Sequence, residues 1–257
     1  MCNEPSASNF AAFQVSRFQL VQHIGHLHAQ HLGRLLGGVD LQHRGRSRCG
    51  GWCLCWCRRT GQKAAGGRGR LLHLLHHLLR HAKAHGHAGG QGGGAIARAF
   101  AREGYVACVN RRHEDKLAPL VAQIEAEGGA ARAFGSDARE EEQVVALVER
   151  IEAEVGPIEV LVFNIGANVP CSILEETARK YFKIWEMACF SGFLNAQAAA
   201  RRMVERGRGT ILFTGATAGL RGSANFAAFA GAKHALRALA QSMARELGPR
   251  NIHVAHV

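Results

Sequence analysis

From residue 93 onward, short apolar runs alternate with amphipathic stretches, and this alternation restricts the possible folds more than any other feature. Tyr105–Val109, Ala131–Phe134, Ile158–Phe163, Thr210–Thr214 and Ile252–Val257 read as strands. Helices are expected over 94–104, 113–128, 140–155, 174–205 and 225–247. In the second of these, Leu117, Leu120, Val121 and Ile124 share a face; in the third, Val144, Leu147, Val148 and Ile151 do. Strands separated by helices imply right-handed crossovers and a parallel sheet. The expected class is α/β.

Residues 1–88 are a different kind of sequence. Residues 1–90 hold 12 Lys/Arg against two acids, Glu4 and Asp40, a balance of +10; residues 91–257 hold 20 against 18, a balance of +2. Eleven of the 15 histidines lie before residue 90. Residues 43–70 are rich in Arg, Gly and Cys and show no periodicity, so the expected state of 1–88 is a basic, non-globular segment, disordered or non-native. Translation of GC-rich DNA out of its proper frame, fused in register near residue 90, would give this composition. Two functional readings compete. Cys53, Cys55 and Cys57 with nearby histidines make a soft-metal site conceivable, although Cys-x-Cys is tight for chelation. His73, His76, His77 and His81 fall on one helical face that could present imidazoles to zinc or nickel. On these readings the segment is a metal- or nucleic-acid-binding module, but neither a metal site nor nucleic-acid binding is the favoured expectation.

No run reaches 18 apolar residues, so no membrane span is expected. Cys108, Cys171 and Cys189 lie on apolar stretches and read as small hydrophobes of a reduced compartment, which points to the cytoplasm.

The chemistry concentrates in the second part. Thr210-Ile-Leu-Phe-Thr-Gly-Ala-Thr-Ala-Gly219 runs from an apolar strand into a small-residue turn. Thirteen residues after Ala216, Phe229-Ala-Gly-Ala-Lys233 opens a helix. Gly86-His-Ala-Gly-Gly-Gln-Gly-Gly-Gly94 precedes the first helix, where glycines let a backbone approach a pyrophosphate at a helix N-terminus. Asn110-Arg111-Arg112 follows the second strand, Gly135-Ser-Asp137-Ala the third, and Phe163-Asn164-Ile-Gly166-Ala the fourth.

In this order and at this spacing, residues 89–257 resemble the short-chain dehydrogenase/reductase family. The resemblance implies a partial Rossmann-type, doubly wound parallel sheet. It also implies an oxidoreductase that binds a nicotinamide dinucleotide through Gly89, Gly93, Arg111, Arg112, Asp137, Asn164, Gly166 and Lys233. Arginines rather than an acid after the second strand suit the 2′-phosphate of NADP better than the ribose of NAD. Asp137 matches the family's adenine-contacting Asp and also reads as an N-cap for a helix from Arg139. The family's first strand is central; Leu79–His85 are a poor match for it, and its loss would leave two neighbouring strands unpaired.

The catalytic set departs from the family. Its Asn, Ser, Tyr and Lys fall on Cys189, Ala216, Phe229 and Lys233, so only the lysine survives. A phenyl ring has no proton to exchange. Cys189 reads as a helix-core thiol, and Thr217 would offer a hydroxyl only if the strand end shifted. The chain also stops at Val257, before the family's lid and seventh strand, and so reads as truncated at both ends of the domain.

The expectation is an NADP-binding homologue, impaired or inactive. An active oxidoreductase with a non-standard proton donor is the alternative. A small carbonyl or alcohol is the implied substrate class, and helices 174–205 and 225–247 are the expected contacts of a homo-oligomer.

Overall fold

The computed structural model describes residues 52–58 and 91–257. Six strands form one sheet in the order β3-β2-β1-β4-β5-β6. They are β1 (Trp52–Arg58), β2 (Tyr105–Arg111), β3 (Ala130–Gly135), β4 (Ile158–Asn164), β5 (Gly209–Phe213) and β6 (Ile252–His256). The helices are α1 (Gln91–Arg102), α2 (Ala118–Ala126), α3 (Glu141–Glu154), α4 (Ala178–Trp185), α5 (Ser191–Arg206) and α6 (Ala227–Leu247). Strands β2–β3, β4–β5 and β5–β6 pair in parallel, as crossover connections require. This is a Rossmann-type α/β architecture.

Both faces of the sheet are covered. Along β4, Leu161 and Phe163 enter one cluster with Phe213, Leu147 and Leu236, while Val160 and Val162 enter the other with Ile96, Phe100 and Leu117. Alternate residues of a strand point to opposite faces, which is why this strand is apolar throughout. Close approach has a sequence cause at Gly192. A Cβ there would stand 2.8 Å from Leu236 Cδ1 and 3.1 Å from Phe163 Cε1, so glycine lets α5 settle between β4 and α6. At its far end α5 stops on Gly207, whose φ of 64° is the left-handed conformation that glycine adopts freely.

The centre of the sheet corrects the sequence reading. The slot between β2 and β4 is not empty: Trp52–Arg58 fills it, antiparallel to both neighbours. This strand comes from the segment read as aperiodic and non-globular, and it belongs to the compact unit Ser47–Val257. The reason is physical. Two apolar strands with unpaired backbone groups on facing edges need a partner, and Trp-Cys-Leu-Cys-Trp-Cys meets the pleat without an interior charge. Cys55 is buried in the first cluster, so for Cys55 the core explains the residue without a metal. No group able to hold a metal occurs among the described residues. The histidine face at 73–81 and Gly89 lie outside the described residues.

Three smaller corrections concern element ends. The expected single helix 174–205 begins at Ala178, capped by the Thr177 hydroxyl accepting from the Lys180 N–H at 3.2 Å. A π-helical turn, Glu186–Phe190, interrupts it. Helix α3 begins at Glu141 after Glu140, so Asp137 is not its N-cap.

Candidate functional site

The carboxyl ends of the parallel strands gather the motifs. The first turn of α1 is Gln91-Gly-Gly-Gly94 with no acid in it, and a Cβ on Gly92 would stand 4.0 Å from Asn164 Nδ2 at the end of β4. A helix N-terminus of bare glycines beside an amide donor suits an anionic group. Gly93 is buried in this turn, and a Cβ on the half-buried Gly166, beyond β4, would meet open space.

At the β2–β3 end, Asn110 is buried, Arg111 half-buried and Arg112 exposed. The Asp137 carboxylate is gripped by Arg139, which donates from Nε at 2.9 Å and from Nη2 at 2.6 Å. The Arg139 backbone N–H also donates to Asp137 at 3.1 Å, closing a tight turn. Hydrogen bonds from Arg139 hold the Asp137 carboxyl below its ordinary value, with Arg112 adding a smaller pull. Arg139 in turn reaches Glu186, at the start of the π-helical turn, at 3.1 Å.

The β4–β6 end holds the remaining family positions. Phe229 and Lys233 stand one helical turn apart on α6, both buried. Lys233 Nζ donates to the Thr214 carbonyl at 2.9 Å and the Ile165 carbonyl at 3.2 Å, tying the ends of β5 and β4 together. The Phe229 ring packs with Ala167, Ile184 and Ala228, and Ala216 lies against the same cluster. Its centroid is 5.9 Å from Lys233 Nζ. The two positions without hydroxyls therefore form one apolar wall beside one amine. Burial pushes the Lys233 amine down to about 8, opposed weakly by Cys189. Cys189, buried on the π-helical turn, has its thiol pushed up by burial.

Sequence reading missed two residues here. Thr217 is exposed at the start of a short turn, Thr217–Gly219, so the hydroxyl at the end of β5 is that of Thr214 instead. His256, last in β6, lies against Gly215, where a Cβ would run into the imidazole. Burial first, then Lys233 and Arg237, push its pKa down. The apolar run of β6 offered no sign that its last histidine turns inward; only its position opposite Gly215 shows it.

Among the described residues, seven buried side-chain N or O atoms lack a hydrogen-bond partner. Four of them, Asn110 Oδ1, Ser136 Oγ, Thr214 Oγ1 and His256 Nε2, lie at the carboxyl ends of β2, β3, β5 and β6. Buried polar atoms are normally paired, so this row fits an extended polar ligand along the sheet edge.

The sequence model of the family described as short chain dehydrogenase matches residues 86–257. The chain belongs to the short-chain dehydrogenase family. It is similar to a short-chain dehydrogenase from Rhodopseudomonas palustris, at 55% identity and a TM-score of 0.61, over 64% of this chain and 77% of that one. It is also similar to a gluconate 5-dehydrogenase from Burkholderia cenocepacia J2315 solved in complex with NADP and tartrate. There the identity is 29%, the TM-score 0.62, and 65% of each chain is covered. Among curated relatives, a 2-dehydro-3-deoxy-D-gluconate 5-dehydrogenase from Formosa agariphila is 31% identical over 160 residues, 62% of this chain and 61% of that protein. The chain thus spans less than two thirds of that relative's length. Among the described residues, no helix is long and apolar enough to cross a membrane.

Proposed function

We propose that the protein is an NADP(H)-binding oxidoreductase homologue in which carbonyl reduction by the family's Tyr–Ser–Asn relay is impaired. The observation that carries this reading is the contrast around Lys233: the amine is held at the strand ends, while Phe229 and Ala216 beside it join an apolar cluster. Neither residue can give a proton to a developing alkoxide or hydrogen-bond to it.

The residues present fit a dinucleotide. The glycine turn of α1 would take the pyrophosphate, and Asn110, Arg111 and Arg112 the adenosine ribose and a 2′-phosphate. Asn164 and Gly166 would hold the nicotinamide half beside Lys233. Asp137 would meet adenine with whatever lone pairs Arg139 leaves it. A reduced nicotinamide bound there supplies hydride to a small carbonyl compound. The dinucleotide seen in the Burkholderia cenocepacia relative supports NADP over NAD.

The test is equilibrium binding. NADPH fluorescence should report a dissociation constant at least about tenfold tighter than that for NADH, since a charge-assisted pair is worth about 1.5–3 kcal/mol. Equal constants would remove the NADP assignment, and no binding of either would remove the reading altogether.

Homo-oligomerisation through α4–α6 belongs to the same proposal. Between α5 and α6 runs an outer groove of about 540 Å³ lined by Phe193, Val204, Leu239, Met243 and Leu247 among others. Sedimentation at tens of micromolar should show a dimer or larger species; a clean monomer counts against it. The free thiols of Cys108, Cys171 and Cys189 accord with a reducing, cytoplasmic setting.

A further inference from the structure

We infer that Lys233 is itself the proton-exchanging group of this site, standing in for the phenol that Phe229 lacks. The inference rests on the dinucleotide-binding reading and says what chemistry survives there.

The geometry around Nζ is the argument. An ammonium has three N–H donors; a neutral amine has two and a lone pair. Lys233 Nζ is offered two acceptors, the carbonyls of Ile165 and Thr214. Both protonation states therefore satisfy both carbonyls, and losing the third proton breaks no hydrogen bond. Among the described residues no carboxylate forms an ion pair with this lysine, so the Phe229 ring, with Cys189 weakly, is what favours the cation over the neutral amine here. The Phe229 ring, its centroid 5.9 Å from Nζ, cannot accept a proton.

The titratable and charged neighbours are few. Cys189 faces Lys233 from the π-helical turn, and His256 from β6, with Arg237 one turn further along α6 acting on His256. Cys189 is held in its thiol form by burial, and burial with the charge of Lys233 keeps His256 neutral. The pair Lys233–His256 thus carries one proton near neutrality, on Lys233. An amine titrating at about 8 is protonated at pH 7 and releases its proton far more readily than an ordinary lysine.

The step balances. A carbonyl carbon takes up hydride from the reduced dinucleotide as the C=O π bond breaks. The oxygen takes the third proton of Lys233 Nζ, giving the alcohol. The neutral amine keeps its bonds to Ile165 and Thr214 and regains a proton from water.

Two measurements on the full chain test this. Competitive acetylation by acetic anhydride, read by peptide mass spectrometry, should give Lys233 a reactivity midpoint near pH 8, with protection by NADP. A midpoint at the ordinary lysine value of about 10.5, or no labelling at any pH, overturns the inference. NADPH oxidation over aliphatic aldehydes, aryl aldehydes, cyclic ketones and 1,2-diketones should be slow and should fall as pH rises through about 8. Lys233→Met should lower it at least about a hundredfold. Lys233→Arg keeps the cation but has no accessible neutral form, so it should be equally inactive and should lose the pH limb. Full turnover by the arginine variant, or none by the unaltered chain, overturns the inference. Binding of 2′,5′-ADP to the adenosine end stays in every variant unless the dinucleotide-binding reading itself is wrong.

Discussion

The two ends of the sheet's carboxyl edge differ in kind. Around β2 and β3 stand the polar and charged groups assigned above to the dinucleotide: Asn110, Arg111 and Arg112, with Asp137 braced by Arg139. Around β5, β6 and α6 stands one buried amine, with Phe229 closed into an apolar cluster that Ala216 packs against. The scaffold is shared, since α5 and α6 pack on the same strands and the π-helical turn ties to Asp137 through Arg139 and Glu186. On the proposed reading, the adenosine end of the ligand is held at β2 and β3, and proton transfer takes place at β5, β6 and α6.

The strongest way to break that contrast is to rebuild the missing relay. A positioned acid is worth about 10²–10⁴ in rate and an oxyanion donor about 10²–10³, and residues that act as a unit do not contribute independently. Phe229→Tyr alone is expected to raise NADPH-dependent ketone reduction by less than about tenfold, because Ala216 offers the new phenol no partner. Phe229→Tyr with Ala216→Ser should gain clearly more. If the single variant already matches the double one, the serine position does not matter here.

The next test uses stability. The folded-state pKa of Lys233 lies near 8, below the unfolded value of 10.5. Burial disfavours the cation, so the cost to folding is full below about 8 and disappears as pH rises through 10.5. The shift corresponds to about 3 kcal/mol. Urea unfolding of the native chain should show stability rising across that window relative to Lys233→Met. Parallel curves for the two chains would mean the amine titrates normally.

The smallest effect sharpens the binding end. Replacing Arg111 and Arg112 together by alanine should weaken NADPH by about ten- to a hundredfold and leave NADH nearly unchanged. Equal losses for both dinucleotides would show that the arginines hold a shared part of the ligand or the strand end itself.

Local pattern alone carried much of the molecule. Apolar runs of strand length and the 3.6-residue spacing in 140–155 and 225–247 placed β2–β6 and α3 and α6 within a few residues. These signals are local: burial on both faces requires continuous apolarity, and one-sided burial requires a periodic stripe. That neither Phe229 nor Ala216 carries a hydroxyl was equally legible, because it is a matter of side-chain chemistry. Tertiary structure decided the rest. Trp52–Arg58 is a strand because two facing edges needed backbone partners, a demand set by residues 47 or more positions away. Helix 174–205 breaks at Glu186–Phe190, where Trp185 and Phe190 stack at 5.9 Å and Glu186 meets Arg139. Thr214 and His256 became site residues only when β5 and β6 paired and Gly215 left room for the imidazole. The two carbonyls that hold Lys233 belong to two different strand ends, so its burial and freedom to exchange a proton exist only in the assembled sheet.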